Sequence, residues 1–434
     1  MAKRTKTNKN KSRRYRVKNT KQSKKKLTGE NAIAGGNAIA SGISGCVFNP
    51  ALKCVDDYKR ESNKVSKLMK NRAAEKEYEN IMHIRDILSA IPNYEDYFLL
   101  YDVTTCKPKR LTTMDLKDFT KCKSFTKKEL SKANINQKID ELTIINMPDG
   151  GLAIDDYLYE DGSFQKMYNL HTGLVNLLKN GIIPMNQFNV YHCDIKDSNI
   201  LVDDAEKIRL IDWGLYAEYM PFVDAPFPTS WRNRPFQYNV PFSVIIFTDS
   251  FMQKYTKFIK EDGGSPTETE LKPFVINYIN SWMRERGAGH FNFINEIMIL
   301  LFSNDLDDVS EEDMSHVVET QITMDYIVNY IVDVLVNFTH FKENGSLNLR
   351  EYLDNVFIKI VDIWGLISAY YPFLELLSNQ YSKLNKTEMK IFKQLQFIFV
   401  EYLYNPRHEP IDMDVLFSDL DILGELHNRY LKPK

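Results

Sequence analysis

The apolar positions of this chain change period several times along its length. Tyr78, Ile81, Ile84, Ile87 and Leu88 share one helical face and predict an amphipathic helix. Tyr97 to Val103 reads as a strand. Residues 104–139 then turn polar and lysine-rich, as an insertion would. Leu142-Thr143-Ile144-Ile145-Asn146-Met147 reads as a buried strand, stopped by Pro148-Asp149-Gly150-Gly151. Helical spacing returns with Phe164, Met167, Leu170, Leu174, Leu177 and Leu178, a core stripe. Ile200-Leu201-Val202 and Ile208 to Ile211 are two short strands joined by a turn at Asp203-Asp204. Residues 243–355 carry Phe, Ile and Tyr at helical spacing, interrupted at Gly263-Gly264-Ser265-Pro266, and predict a helical insertion. Further helices run to about Leu423.

Composition changes little in this picture. The 434 residues are 43% hydrophobic and 26% charged, ordinary for a globular protein with a large core. The run Ile297-Met298-Ile299-Leu300-Leu301-Phe302 is too short for a membrane span, and the N-terminus lacks the apolar stretch of a secretory signal. The five cysteines, at 46, 54, 106, 122 and 193, are odd in number and scattered. That usage predicts reduced thiols in a cytosolic compartment.

Charge does change the picture. Residues 1–27 hold thirteen Lys or Arg and no acid, so the remainder carries −15 against a whole-chain −2. A segment of that composition, taken here as residues 1–30, is expected to be a disordered basic tail. It suits nucleic acid or another polyanion such as an anionic membrane, or an import receptor, which adds the nucleus to a cytoplasmic expectation; the other reading is a solubilising tail with no specific partner.

The chemistry concentrates in Val190-Tyr191-His192-Cys193-Asp194-Ile195-Lys196-Asp197-Ser198-Asn199, followed by Ile211-Asp212-Trp213-Gly214. A hairpin between them puts Asn199 and Asp212 at neighbouring strand ends, where two oxygen ligands can hold Mg²⁺. Asp194 is placed to accept a proton from an attacking hydroxyl, and Lys196 to offset charge on a transferring phosphoryl group.

These residues resemble the catalytic core of the eukaryotic-type protein kinases, H-R-D-x-K-x-x-N and then D-F-G. Here the pattern is H-C-D-x-K-x-x-N and D-W-G, with Cys193 and Trp213 as departures. The resemblance implies a two-lobed α+β fold: an N-lobe over 31–147 with insertions, and a C-lobe over 148–434 with the helical insertion. It implies ATP and Mg²⁺ as cofactors and a protein substrate. Asp194 becomes the catalytic base, Lys196 an aid to transfer, and Asn199 and Asp212 the metal ligands.

Other parts of the family pattern follow. Ala40-Ser41-Gly42-Ile43-Ser44-Gly45-Cys46-Val47 matches a phosphate loop lacking its first glycine, with Gly42, Gly45 and Val47 over the nucleotide. Lys67 is preferred over Lys53 as the ATP lysine. Glu77 is its helix partner, with Glu75 as fallback. Choosing Lys67 implies an insertion at 50–62. With the run Val47-Phe48-Asn49-Pro50-Ala51-Leu52-Lys53-Cys54, that insertion resembles divergent serine/threonine kinases of large DNA viruses, which places the chain in host cytoplasm or virion. Ile145 to Met147 would form the hinge on adenine, with Ile144 as gatekeeper. No A-P-E follows Gly214; Arg234-Pro235-Phe236-Gln237-Tyr238-Asn239-Val240-Pro241-Phe242 stands there. Asp362-Ile363-Trp364-Gly365 resembles the helix whose Asp braces the catalytic loop. Two other readings stay open: a small-molecule phosphotransferase of aminoglycoside- or choline-kinase type, and a catalytically silent scaffold.

Overall fold

Alternating apolar residues build a five-stranded antiparallel sheet at the start of the described chain. The computed structural model describes residues 35–431 except 43–44, 57–59, 127–129, 161, 224–226, 263–265, 307, 344 and 346. The basic tail lies outside the described residues, as do Ile43 and Ser44 and the Gly263-Gly264-Ser265 interruption. The sheet comprises β1 (Asn37–Ser41), β2 (Gly45–Asn49) and β3 (Lys64–Lys70). After α1 (Asn71–Leu88) come β4 (Thr104–Cys106), α2 (Lys123–Thr126) and β5 (Leu142–Pro148). Strand order is β1-β2-β3-β5-β4.

Register gives the sheet two distinct faces. Val47 pairs with Lys67, Lys67 with Ile145, and Ile145 with Thr105. The next row is Cys46, Leu68, Ile144 and Cys106. Because side chains alternate along a strand, the two rows point to opposite sides. Cys46, Leu68 and Ile144 pack with Leu111, Leu116, Phe119, Phe125, Leu130 and Ile135. Those residues come from the lysine-rich stretch, which is therefore a folded cap with its own apolar core. On the other side, Met69 and Ile145 join Ala74, Ile81, Ile84 and Leu88 of α1 in the main core.

One disulfide, Cys46–Cys122, ties the cap to the sheet, and a second, Cys54–Cys106, ties the β2–β3 connection to β4. The expectation of reduced thiols fails for these four residues. Their partners are 76 and 52 residues apart, a proximity that only the tertiary fold creates. Cys193 is the free cysteine, and it is buried.

The C-terminal part is helical. It begins with β6 (Leu152–Ala153), α3 (Ile154–Tyr159), α4 (Phe164–Leu177) and α5 (Ile183–Gln187). The strands β7 (Val190–Tyr191), β8 (Ile200–Val202), β9 (Ile208–Leu210) and β10 (Ala217–Glu218) follow. They form a three-stranded sheet β6-β8-β9 and a two-stranded ladder β7-β10. Ser163 caps α4 by accepting from the Lys166 backbone N–H. The predicted stripe Met167, Leu170, Leu174 and Leu177 is buried as expected.

The 243–355 stretch is helical, with α6 (Asp249–Asp262), α7 (Glu268–Arg286), α8 (Phe291–Phe302), α9 (Glu311–Val318) and α10 (Met324–Phe338). It closes with a small hairpin, β11 (His340–Phe341) and β12 (Leu347–Asn348), that apolar spacing does not reveal. The rest is α11 (Arg350–Tyr352), α12 (Ile358–Ser368), α13 (Tyr371–Ser378), α14 (Lys386–Phe399) and α15 (Met413–Leu431). Among the described residues, one helical run, Arg350–Ser378, has the length and apolarity of a membrane span, and most of it is buried in the core.

The strand expected at Tyr97 to Val103 is not formed. Leu99 donates its N–H to the Leu210 carbonyl and Tyr97 accepts from the Leu210 N–H, so this segment crosses β9 at a single point. Its apolar residues Phe98, Leu99 and Leu100 are buried by packing rather than by a ladder.

Candidate active site

The β8–β9 hairpin brings the two halves of the motif together. Ile200 pairs with Leu210, and the Ile211 N–H donates to the Asn199 carbonyl at 2.9 Å. Asn199 therefore enters β8 beside the exit of β9, and Asp212 follows one residue on. Asp212 is exposed, in a left-handed backbone conformation with φ 65°, and precedes the short turn Trp213–Leu215. Trp213 is buried against Phe98 and His192, with centroids 5.7 and 4.8 Å away.

Asp194 stands at the centre of a donor cluster. Its Oδ2 accepts from Lys196 Nζ at 2.8 Å and from Asn199 Nδ2 at 3.0 Å. Its Oδ1 accepts from Asn239 Nδ2 at 2.9 Å. Burial pushes the Asp194 carboxyl up, but Lys196 and Asn239 outweigh it and hold the group below the usual carboxylate range. Asp194 is thus a carboxylate at neutral pH.

Backbone order around Asp194 comes from residues far away in sequence. Asp362 in α12 accepts the His192 N–H at 2.9 Å, the Cys193 N–H at 2.8 Å and Asn186 Nδ2 at 2.8 Å. This is the bracing expected of Asp362. His192 is fully buried with Nε2 3.0 Å from the Ile211 carbonyl, and burial lowers its pKa. A neutral ring is then the donor, so His192 braces the loop rather than transferring protons. Cys193 has φ 59°, a conformation that non-glycine residues seldom adopt. Trp231 Nε1 donates to its sulfur at 2.8 Å, and both terminal nitrogens of Arg234 donate to its carbonyl at 3.0 Å. Burial pushes the Cys193 thiol up and the Arg234 guanidinium down.

Asn239, Arg234 and Trp231 belong to the stretch that stands where A-P-E was sought. Asn239 is wholly buried and also donates to the Ile195 carbonyl. Tyr238 donates to Asp197 at 2.6 Å, and Trp364 and Ser368 donate to the Tyr238 carbonyl. The stretch Arg234 to Phe242 is thus bonded directly to the loop around Asp194. Asn239 escaped the sequence reading, since nothing in its neighbours marks it. His290, just before α8 in the helical insertion, also escaped. Its N–H donates to the Phe236 carbonyl, and its ring lies 5.5 Å from that of Tyr238.

On the sheet, Lys67 Nζ lies 2.5 Å from Glu77 Oε1 in α1. Both side chains are largely shielded, at 13% and 24% exposure. Glu75 is exposed, and Lys53 lies in the β2–β3 connection, where its carbonyl accepts from the Lys109 N–H. The pairing expected for Lys67 is formed. Gly45, Val47, Ile145 and Met147 share the Lys67 face by register. Gly45 approaches β3 so closely that a Cβ would sit 2.5 Å from the Leu68 carbonyl, whereas Gly42 has open space. Ile144 points the other way, into the cap core, so Ile145 takes the inward place expected of the gatekeeper. α1 packs on the Trp213–Leu215 turn, which links the Lys67–Glu77 pair to the Asp212 side of the site. The chain matches no protein-family model and no curated protein.

Proposed function

We propose that this chain is a serine/threonine protein kinase that transfers the γ-phosphoryl group of ATP to protein hydroxyls. The observation that carries the reading is the sharing of the Asp194 carboxylate among Lys196, Asn199 and Asn239. Oδ2 takes two donors and Oδ1 takes one, which leaves Oδ1 able to accept from a substrate hydroxyl. Its lowered pKa makes Asp194 a weak base. Its main work is then to orient the hydroxyl and to take the proton as the oxygen's acidity rises during attack. Lys196 screens the phosphoryl charge beside it.

Asn199 and Asp212 supply the oxygen donors, and their chemistry suits Mg²⁺, which uses few protein ligands and keeps several waters. When bound, Mg²⁺ neutralises charge on the nucleotide phosphates. Lys67, fixed by Glu77, serves the same phosphates from the sheet side. In this reading the sheet with α1 is the small lobe of a two-lobed fold and the helical part is the large one. The basic segment at 1–27 is assigned to polyanion contact.

The test is transfer of labelled phosphate from ATP to a mixed protein pool. Asp194→Asn should cut transfer on the order of 10²-fold or more while leaving ATP binding nearly intact. Equal turnover in wild type and variant would overturn the assignment. Transfer to small amino alcohols or aminoglycosides, with none to protein, would mark a small-molecule phosphotransferase. ATP binding without any transfer would mark a scaffold.

A further inference from the structure

The cap does more than cover the sheet. It grips both ends of the β1–β2 connection, the part read as a phosphate loop. Cys122 bonds to Cys46, the residue after Gly45, with Cα atoms 5.2 Å apart. Two residues on, Ser124 is buried and makes three contacts with the same strands. Its N–H donates to Ser41 Oγ at 3.1 Å, its hydroxyl donates to the Gly45 carbonyl at 3.0 Å, and Ser41 Oγ lies 3.2 Å from its own oxygen. Ser41 ends β1 and Gly45 begins β2, so Cys122 and Ser124 hold the entry and the exit together.

Setting the ends of β1 and β2 in one place for a ligand costs conformational entropy where nothing else holds them. A covalent bond from the cap to Cys46 removes part of that cost before the ligand arrives. The register sharpens the point. Cys46 faces the cap while Gly45 and Val47 on either side face the Lys67 side, so the bond steadies the loop without entering the nucleotide's space. The other disulfide, Cys54–Cys106, ties the β2–β3 connection to β4 and touches neither Ser41 nor Gly45. The two bonds therefore have separable effects.

We propose that the Cys46–Cys122 disulfide, with Ser124, is a positioning clamp for the phosphate loop, and that its redox state sets the affinity of the site for ATP. The proposal rests on the kinase reading. A dithiol reductant supplies two electrons and two protons. One reductant sulfur attacks the bond and forms a mixed disulfide. Its second thiol then resolves that intermediate, leaving Cys46 and Cys122 as thiols and the reductant as its own disulfide. Both sulfurs are buried, so the cap must open for attack.

The experiment uses full-length oxidised protein and Mg-ATP. ATP affinity is measured by calorimetry, and kcat and the KM for ATP by transfer assay. Each is read before and after dithiol treatment, with alkylation and mass spectrometry confirming that Cys46 and Cys122 have opened. Reduction should weaken ATP binding about 3- to 10-fold, the range expected from freeing a few ordered groups, with kcat at saturating ATP changed less than about twofold. The C54S/C106S variant should respond to reductant like wild type. The C46S/C122S variant should begin at the weaker affinity and ignore reductant. Ser124→Ala should shift KM in the same direction by a smaller factor without any change of redox state, and circular dichroism checks that each variant folds. ATP binding that is the same before and after confirmed reduction overturns the clamp and leaves the kinase reading standing. Absence of ATP binding in both states overturns both.

Discussion

The loop around Asp194 and the cap are both held by contacts distant in sequence, but by opposite chemistry. The loop around Asp194 is fixed by buried polar atoms: Asp362 on three donors, Arg234 on a carbonyl, Asn239 on the carboxylate. The cap is fixed by an apolar core and the Cys46–Cys122 disulfide. Polar networks are directional, and each missing partner strands a buried group. Apolar cores spread their stabilisation over many contacts and tolerate local loss. The difference teaches where single substitutions should cost turnover and where they should cost only stability.

The largest effect is expected where polar geometry meets the nucleotide. Lys67→Met leaves Glu77 without the partner it has at 2.5 Å and takes the positive charge from the phosphates. Transfer should fall on the order of 10²-fold or more, as for other lost electrostatic groups in active sites. Lys53→Met, in the β2–β3 connection, should stay within about twofold in the same steady-state assay. The reverse result would move the site to the β2–β3 connection and break the comparison.

In the cap, Phe125→Ala should lower the free energy of unfolding by about 3 kcal/mol, the usual cost of emptying a buried aromatic site. Saturating kcat should change less than about twofold. Urea denaturation and assay of the same preparation measure both. A large fall in kcat would show that the cap shapes the Asp194 side as well.

Sequence spacing made the first region largely legible and the second hardly at all. His192, Asp194, Lys196 and Asn199 lie within eight residues, so their order alone carried the reading, and the Asp212 hairpin followed from two short apolar strands. Lys67 was separable from Lys53 because a helix with Glu77 on it begins directly after β3. Asn239 was invisible because its partner is 45 residues away and nothing local marks a buried amide. The cap was masked by its lysines. Six apolar residues spread over Leu111 to Ile135 keep no regular period, yet they close a core once the sheet is beneath them. The cysteine pairs were hidden for a like reason: separations of 76 and 52 say nothing until sheet and cap are folded. Ile144 and Ile145 could be told apart only by register, since a one-residue shift exchanges the faces of a strand.

A third test compares polar burial that serves the catalytic loop with polar burial that serves only packing. His171 on α4 and His427 on α15 are both buried and stack 6.0 Å apart. Tyr370 hydroxyl meets His171 Nδ1, and the Leu423 carbonyl meets His427 Nδ1. Burial, with mutual repulsion, lowers His171 to about 3, and burial lowers His427 to about 4. Both values lie below the unfolded value near 6.5, so the unfolded chain binds more protons once pH drops under 6.5. Stability is therefore full above that pH and falls as acid is added, toward pH 4 and below. Each histidine contributes a slope of up to about 1.4 kcal/mol per pH unit. Urea denaturation at pH 7, 6 and 5 should show the loss, and His427→Leu should flatten it. An equal slope in the variant would put the acid sensitivity elsewhere.

The smallest effect expected is no effect. Under the kinase reading, Cys193 stands where an arginine would pair with a phosphorylated residue and order the segment beyond Asp212. A thiol cannot make that charge-assisted fork. The two arginines able to substitute are both engaged. Arg234 is buried with its guanidinium on the Cys193 carbonyl, and Arg232 bonds Asp249 at 2.5 Å. Order comes instead from Trp231 on the Cys193 sulfur, Asn239 on Asp194 and Tyr238 on Asp197, none of which needs a phosphate. The segment is therefore expected to be set in its working conformation by folding alone. Phosphatase-treated enzyme, shown by mass spectrometry to be unmodified over residues 212–245, should keep its turnover within about twofold, the span of a lost surface charge contact. Trp231→Phe, which removes the donor to sulfur and keeps the ring, should cost more than the phosphatase does. A large drop on dephosphorylation, restored by rephosphorylation, would mean that one of these arginines leaves its inward bond to hold a phosphate, and the polar network around Asp194 would then be a switched state rather than a fixed one.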